Sequence, residues 1–304
     1  MTSRERVLAA IAHREPDRVP CNLRLTSDLL ASIRRHIGTD DYAEHFGHDI
    51  RYVWLGLPPP PPGARREDWT PAPADADVAA VAGSARALQA RGLAVCGGYC
   101  MGVFEQAKDW LGDEAALTAP HEDPAGFARL LDRITDWKCA VYGAYARAGV
   151  DIVWIGDDLG TQCSLVMSPA QYRAWYRPRH RRIVEHIRRL QPGQRIAFHC
   201  CGHVTPLIPD LIAIGIDILE AVQAEAMDIV YLKREFGRDI CFWGGGCDTR
   251  RVLNRGTPAE VRDHVRRRIE IFAPGGGFVF AAIHNILPEV PPENIVAMFD
   301  ALRC

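Results

Sequence analysis

The sequence predicts an α/β protein, and more narrowly a single-domain (β/α)8 barrel with an N-terminal helical extension, spanning residues 1–304. Three observations point there. Six short apolar runs each end in glycine, polar or metal-capable residues and lead into a helical pattern. Two further extended stretches near the start bring the strands to about eight. No G-x-G-x-x-G turn follows an early strand, which argues against a doubly wound nucleotide-binding sheet.

Taken in order, the chain opens with a short amphipathic helix: Val7, Leu8 and Ile11 fall on one stripe, which Pro16 closes. Ser3 is followed three residues later by Arg6 rather than Glu, so no capping box is expected from that pair. Residues 18–25 read as a strand, Ser27 as the N-cap of a helix through Ile37, and residues 50–54 as a second strand. Pro58 to Pro62, followed by Gly63 and the charged residues 65–68, can be neither helix nor central strand because proline lacks the donor; it reads as a stiff exposed loop without chemistry. The six apolar runs are 93–95, 151–155, 196–198, 216–219, 240–243 and 278–280. Helical patterns at 124–148, 169–190, 204–214 and 258–272 lie among them.

Composition narrows the function. Hydrophobic residues make up 48% and charged residues 24%, ordinary for a chain with a buried core. The formal net charge is −2, so there is no basic field to attract nucleic acid or an anionic membrane surface, and a small molecule becomes the expected partner. Arg4, Glu5, Arg6, His13 and Arg14 interrupt the apolar positions of the first twenty residues, and no eighteen-residue apolar run occurs anywhere; a cytoplasmic protein is expected. Ten cysteines, two of them adjacent at Cys200 and Cys201, make a poor disulfide framework and read as reduced thiols, some available as ligands.

In a barrel, chemistry sits on the rim just after each strand. Those positions are Cys96, Asp157, Asp158, His199, Cys201, Glu220, Cys247, Asp248 and His284. The sharpest feature is Phe198-His199-Cys200-Cys201-Gly202-His203. Strand side chains alternate faces, so His199 and Cys201 can point the same way while Cys200 points the other. An imidazole nitrogen and a thiolate so spaced form half of a zinc site, which in catalytic proteins takes three protein ligands. His284 is the leading candidate for the third, followed by Cys247 and Glu220. Asp157 and Asp158 supply adjacent carboxylates whose pKa values a partly buried rim can tune: one suits proton transfer or substrate contact, the other an N-cap, and the spacing does not choose between them. Gly244-Gly245-Gly246 follows a strand and reads foremost as a tight turn, and the arginines at 181, 182, 188 and 189 read as a solvated helix face.

At these motifs the chain resembles the uroporphyrinogen decarboxylase superfamily, which joins a haem-pathway decarboxylase to corrinoid-linked methyltransferases. The resemblance begins at Arg4-Glu-Arg-Val-Leu-Ala-Ala-Ile and Pro16-Asp-Arg-Val-Pro, runs through Asp157-Asp-Leu-Gly, Phe198-His-Cys-Cys-Gly-His-Val and Leu232-Lys-Arg-Glu-Phe-Gly, and closes with Gly275-Gly-Gly-Phe, His284-Asn-Ile and Val290-Pro-Pro-Glu-Asn-Ile. It implies a (β/α)8 barrel with its site at the C-terminal rim. The decarboxylase carries an arginine-rich N-terminal segment for a tetracarboxylate; here residues 19–26 offer only Arg24, which disfavours porphyrinogen decarboxylation. The methyltransferase branch binds zinc through a His-x-Cys pair and a later Cys. His199 and Cys201 match the pair, and His284 stands where that branch has the Cys, which makes the site one charge less negative. The resemblance thus implies zinc on His199, Cys201 and His284, a proton-handling or orienting role for Asp158, and substrate contacts from Glu220, Cys247 and Asp248, with Glu220 a displaceable fourth ligand. The implied activity is methyl transfer or demethylation between a small O-, N- or S-methyl compound and a corrinoid or thiol acceptor. The chain lacks an Asp-x-His-x-x-Gly cobalamin signature, so cobalamin would arrive on a separate corrinoid protein. The alternatives are a decarboxylase or lyase acting on a small carboxylate or tetrapyrrole-related substrate, and a carrier barrel that binds tetrapyrrole or metal without turnover.

Overall fold

In the computed structural model, which describes residues 1–98, 101–283 and 285–303, seven strands form one parallel sheet in strict sequence order, β1 to β7. After α1 (Ser3–Ile11), α2 (Ser27–Ile37) and α3 (Tyr42–His45), the chain enters β1 (Ile50–Val53), crosses through α4 (Asp75–Ala90) and returns in β2 (Ala94–Gly98). Helices α5 (Val103–Leu111), α6 (Asp113–Glu122) and α7 (Pro124–Arg147) lead to β3 (Ile152–Gly156). Then come α8 (Pro169–Gln171), α9 (Arg177–Leu190) and β4 (Arg195–His199), followed by α10 (Ile208–Ala213) and β5 (Ile218–Val222). The sheet continues through α11 (Ile229–Phe236) to β6 (Cys241–Gly244), then α12 (Val252–Arg255) and α13 (Pro258–Phe272) to β7 (Phe278–Val279), and α14 (Pro292–Asp300) ends the fold. This is the parallel, helix-covered arrangement of a TIM-barrel-like α/β protein.

Among the described residues the eighth strand does not form. The stretch expected at residues 18–25 contributes only isolated bridges, Cys21 to Phe280 and Leu25 to Ile286. It still runs between the first and last strands: Pro20 O accepts from Phe280 N at 2.8 Å, and Cys21 O accepts from Asp49 N at 2.8 Å. Pro20 has no N–H to give, which keeps a regular ladder from starting there.

Two cores result from the alternation of strand side chains. The inner one gathers Ile50, Ala94, Cys96, Ile152, Trp154, Ala197, Ile218, Cys241, Trp243 and Val279, and α1 caps it with Val7, Ala10 and Ile11. The outer one packs Val95, Val153, Phe198, Leu219 and Phe242 against the surrounding helices. The N-terminal extension is thus a plug for the sheet's interior. Its capping box is made by Thr2 and Glu5, one residue earlier than the Ser3 and Arg6 pair examined in the sequence. Thr26, not Ser27, takes the N-cap position of α2. The helix expected at 169–190 is broken by a π turn over Tyr172–Tyr176, after which α9 starts at Arg177 with Pro178, which has no N–H to continue the ladder, in its first turn. Pro206 likewise replaces the first turn of the expected 204–214 helix by a 3-10 turn, Thr205–Leu207. No helix among the described residues is long and apolar enough to cross a membrane.

Candidate metal and active site

The last residue of β4, His199, points inward with Ala197, and Cys201 follows two residues later, directly before a turn at Gly202, whose φ of 78° favours glycine. Close approach of β3 sets the position: a Cβ on Gly156 would stand 2.3 Å from His199 O, so only glycine lets the two strands pair here. Cys200 is buried on the opposite side, its Sγ 3.3 Å from Leu159 N. The alternation expected from the sequence therefore divides the two thiols.

Glu220, on the neighbouring β5, accepts from His199 Nδ1 at 2.5 Å and from Trp154 Nε1 at 3.0 Å. This fixes the imidazole with Nε2 facing the mouth, 3.4 Å from Cys201 Sγ and 3.5 Å from Asp158 Oδ1. Asp158 is in turn held by Cys201 N at 2.8 Å. Donor atoms of Asp158, His199 and Cys201 all lie within 4.8 Å of one another, and this is the one such group among the described residues. A tetrahedral zinc, about 2.0–2.3 Å from each nitrogen, oxygen or sulfur donor, leaves those donors roughly 3.3–3.6 Å apart. The spacing and the donor chemistry fit the ion.

Without a metal the site favours the protonated forms of both His199 and Cys201. Burial, then the Asp158 and Glu220 carboxylates, push the Cys201 thiol far up. Burial works against a charged His199, but the Glu220 charge and hydrogen bond outweigh it and the net shift is upward. Both groups thus hold their protons where a cation would displace them.

The structure separates the adjacent acids. Asp157 is fully buried and faces away from the mouth: Oδ2 accepts from Val103 N at 2.8 Å, Phe104 N at 3.0 Å and His180 Nε2 at 2.7 Å, and Oδ1 from Glu105 N at 2.9 Å. It caps α5 from a distant part of the chain. Asp158, with 39% of its side chain exposed, faces the site. Glu220 serves as the carboxylate behind His199, its other oxygen 3.6 Å from Arg24, whose guanidinium lies over the Trp154 ring at 4.3 Å. Cys247 is buried in the outer core, and Asp248 spends Oδ1 on the amides of Arg250 and Arg251, a local turn cap; neither joins the cluster. His284 lies outside the described residues.

One residue escaped the sequence reading. Glu105, in the first turn of α5, is pushed up to about 7, by burial first and then by Asp157 and Asp158, with His199 pulling the other way. Its carboxyl thus shares the field of the cluster and sits poised for proton exchange near neutrality. Nothing local in Val103-Phe-Glu-Gln marks it; the Asp157 cap brings it there.

The fold and site together define a TIM-barrel-like α/β protein with a His-Cys-Asp cluster at the C-terminal ends of its strands. Comparison with known proteins narrows this: residues 42–304 match the uroporphyrinogen decarboxylase (URO-D) family, and the chain belongs to it. Among curated relatives, uroporphyrinogen decarboxylase of Syntrophotalea carbinolica is 29% identical over 189 residues, 60% of this chain and 50% of that protein. The same enzyme of Pseudoalteromonas translucida is 26% identical over 190 residues, 60% and 49% respectively. The chain spans about half the length of these relatives. Among solved structures, a methyltransferase from Methanosarcina mazei superposes with a TM-score of 0.75 at 19% identity, covering 100% of this chain and 98% of that one, which establishes the shared fold.

Proposed function

We propose that this protein is a zinc-dependent methyltransferase or demethylase of the URO-D superfamily, moving a methyl group between a small O-, N- or S-methyl compound and a corrinoid or thiol acceptor. The observation that carries the reading is the donor geometry: three different ligand types lie within 4.8 Å of one another, and His199 Nε2 stands 3.4 Å from Cys201 Sγ and 3.5 Å from Asp158 Oδ1, spacings that suit a shared zinc. The similarity to a methyltransferase along the whole chain supports it. His199, Cys201 and Asp158 would hold the ion, with His284 the sequence-based candidate for a further ligand. Zinc so held supplies a Lewis acid for the heteroatom that carries or receives the methyl group.

The chain's own groups do the rest. Glu220 keeps Nδ1 of His199 as the protonated nitrogen, so that Nε2 is the ligand. A proton exchanged by the heteroatom as its bond to carbon changes would pass to or from a rim carboxyl, Asp158 or the upshifted Glu105, which feels the Asp158 charge. Trp154 and Arg24 wall the inner side of the mouth and keep the site partly dry. A corrinoid acceptor would come on a separate protein. The second reading, decarboxylation or lyase chemistry on a small carboxylate, draws on the named activity of the curated relatives and on Arg24 as a carboxylate anchor.

The test is metal content per chain after purification without chelators, on wild type and Cys201→Ala. About one zinc in the wild type and its loss in the variant is the expected result. No metal in either after zinc is supplied, with metal-independent carbon dioxide release, would replace this reading by the second.

A further inference from the structure

Between β1 and α4 the proline-rich residues 55–73 do not wave free in solvent. They form a strap pinned across α5 and α7. The Trp69 indole N–H donates to Pro58 O at 3.0 Å, that of Trp137 donates to Pro71 O at 2.9 Å, and Leu55 N donates to the Tyr145 hydroxyl at 2.9 Å. Arg66 pairs with Asp109, and Arg133 with the Glu67 carbonyl. Beneath the strap lies a cavity of about 470 Å³, within the size range of small-ligand sites.

Its wall is aromatic. Trp54, Trp69, Trp110, Trp137 and Tyr145 line it, with Val141 among them, and Trp110 and Trp137 lie nearly parallel at 14°. The polar atoms of Trp69, Trp137 and Tyr145 are spent on strap backbone, so their rings offer carbon faces. The polar groups on the remaining side satisfy one another: Gln106 accepts from Lys138 Nζ at 2.9 Å and donates to Asp109 at 3.2 Å, and Asp109 pairs with Arg66. Among the described residues of the lining the one carboxylate, Asp109, is already paired, and the Lys138 ammonium lies 4.2 Å from the Trp137 ring centroid. A quaternary ammonium would find the Lys138 charge close behind the Trp137 ring; a neutral flat ring would find, among the described residues, mainly aromatic faces and the carbons of prolines, Leu55, Leu57 and Val141.

Two ring contacts in series connect the cavity's rim to the cluster. Trp54 on its rim lies edge-on to Trp154, ring centroids 6.3 Å apart, and Trp154 lies edge-on to His199 at 5.5 Å. On the other flank Gln106 of the wall follows Glu105 in the first turn of α5. We infer that the cavity under the proline-rich strap is the specificity compartment for substrate, and that it takes a neutral aromatic or heteroaromatic ring whose methyl-bearing heteroatom faces Asp158, His199 and Cys201. The direction of the heteroatom rests on the proposed function; occupancy of the cavity by a ring does not.

The test is calorimetric titration of the full chain with methoxybenzene and thioanisole, beside methanol, dimethyl sulfide and tetramethylammonium as ring-free probes. Binding of the two arenes at least tenfold tighter than the ring-free compounds is expected. Val141→Phe, which fills the cavity, should weaken arene binding at least tenfold while leaving zinc per chain unchanged. Should that variant fail to fold, Trp69→Ala, which opens the wall, should weaken the arenes at least fivefold. Ring-free probes binding as tightly as the arenes, or arene affinity untouched by either folded variant, would overturn the inference. Arene binding to a chain that takes up no zinc would sink the proposed function and leave the compartment standing.

Discussion

Replacing Asp157 by asparagine separates the two adjacent acids by free energy. The Asp157 carboxylate is out of reach of water and accepts four hydrogen bonds, three from consecutive amides of α5 and one from His180. An asparagine has one acceptor oxygen. With that oxygen at the Oδ2 position, the amide group faces Glu105 N–H, one bond is lost and a buried donor is orphaned, costing about 1–3 kcal/mol. The three surviving bonds lose their charge assistance, at roughly 0.5–1 kcal/mol each. The flipped amide loses three bonds and is worse. Asp157→Asn should therefore destabilise the fold by about 2.5–6 kcal/mol in urea unfolding followed by far-UV circular dichroism. Asp158→Asn, which can still accept from Cys201 N, should cost less than about 1 kcal/mol and instead lower zinc retention. The reasoning is refuted if the two variants have equal stability, or if Asp157→Asn falls within 1 kcal/mol of the wild type.

Glu220→Gln keeps the shape behind His199 but removes the charge, and should weaken zinc binding about 10–100-fold in competition with a chromogenic chelator; unchanged affinity would deny it the positioning role. Gly156→Ala places a Cβ against His199 O and Cβ, so it should both destabilise the fold and lower zinc content, and a fully loaded, stable variant would contradict the close strand approach. Glu105 is raised to about 7 from an ordinary 4.5, so the folded state binds its proton more tightly than the unfolded one. The stability this contributes is fully present below pH 4.5 and is lost as pH rises through 7. Glu225, raised in the same direction by burial and Asp248, adds to the slope. Unfolding free energies of metal-free protein between pH 4.5 and 7.5 should thus fall with pH, and less so in Glu105→Gln; parallel curves would show that Glu105 is not buried in the field of Asp157 and Asp158.

The sequence alone carried the alternation of strands and helices, because a strand covered on both faces must be an apolar run and an exposed helix must be periodic. It carried the pairing of His199 with Cys201 for a similar reason: both sit at one strand end, where face is set by the parity of the spacing. Family membership was likewise readable from ordered motifs, Phe198-His-Cys-Cys-Gly-His-Val foremost. What local pattern could not carry was decided by groups far apart in the chain. Asp157 and Asp158 look equivalent in sequence, and only the arrival of α5 above one and the mouth beside the other separates them. Glu220 reads as a ligand candidate until its carboxylate is seen on Nδ1 of His199, and Cys247 and Asp248 read as rim residues until the turn after β6 carries them into the outer core and a local cap. Glu105 enters the site because a buried carboxylate more than fifty positions later satisfies its backbone amide. The prolines at 58–62 signal stiffness, whereas the cavity beneath them exists because tryptophans from the strap and from two helices converge. Periodicity encodes which way a side chain points relative to its neighbours; which distant group it meets depends on tertiary packing, which leaves no periodic trace.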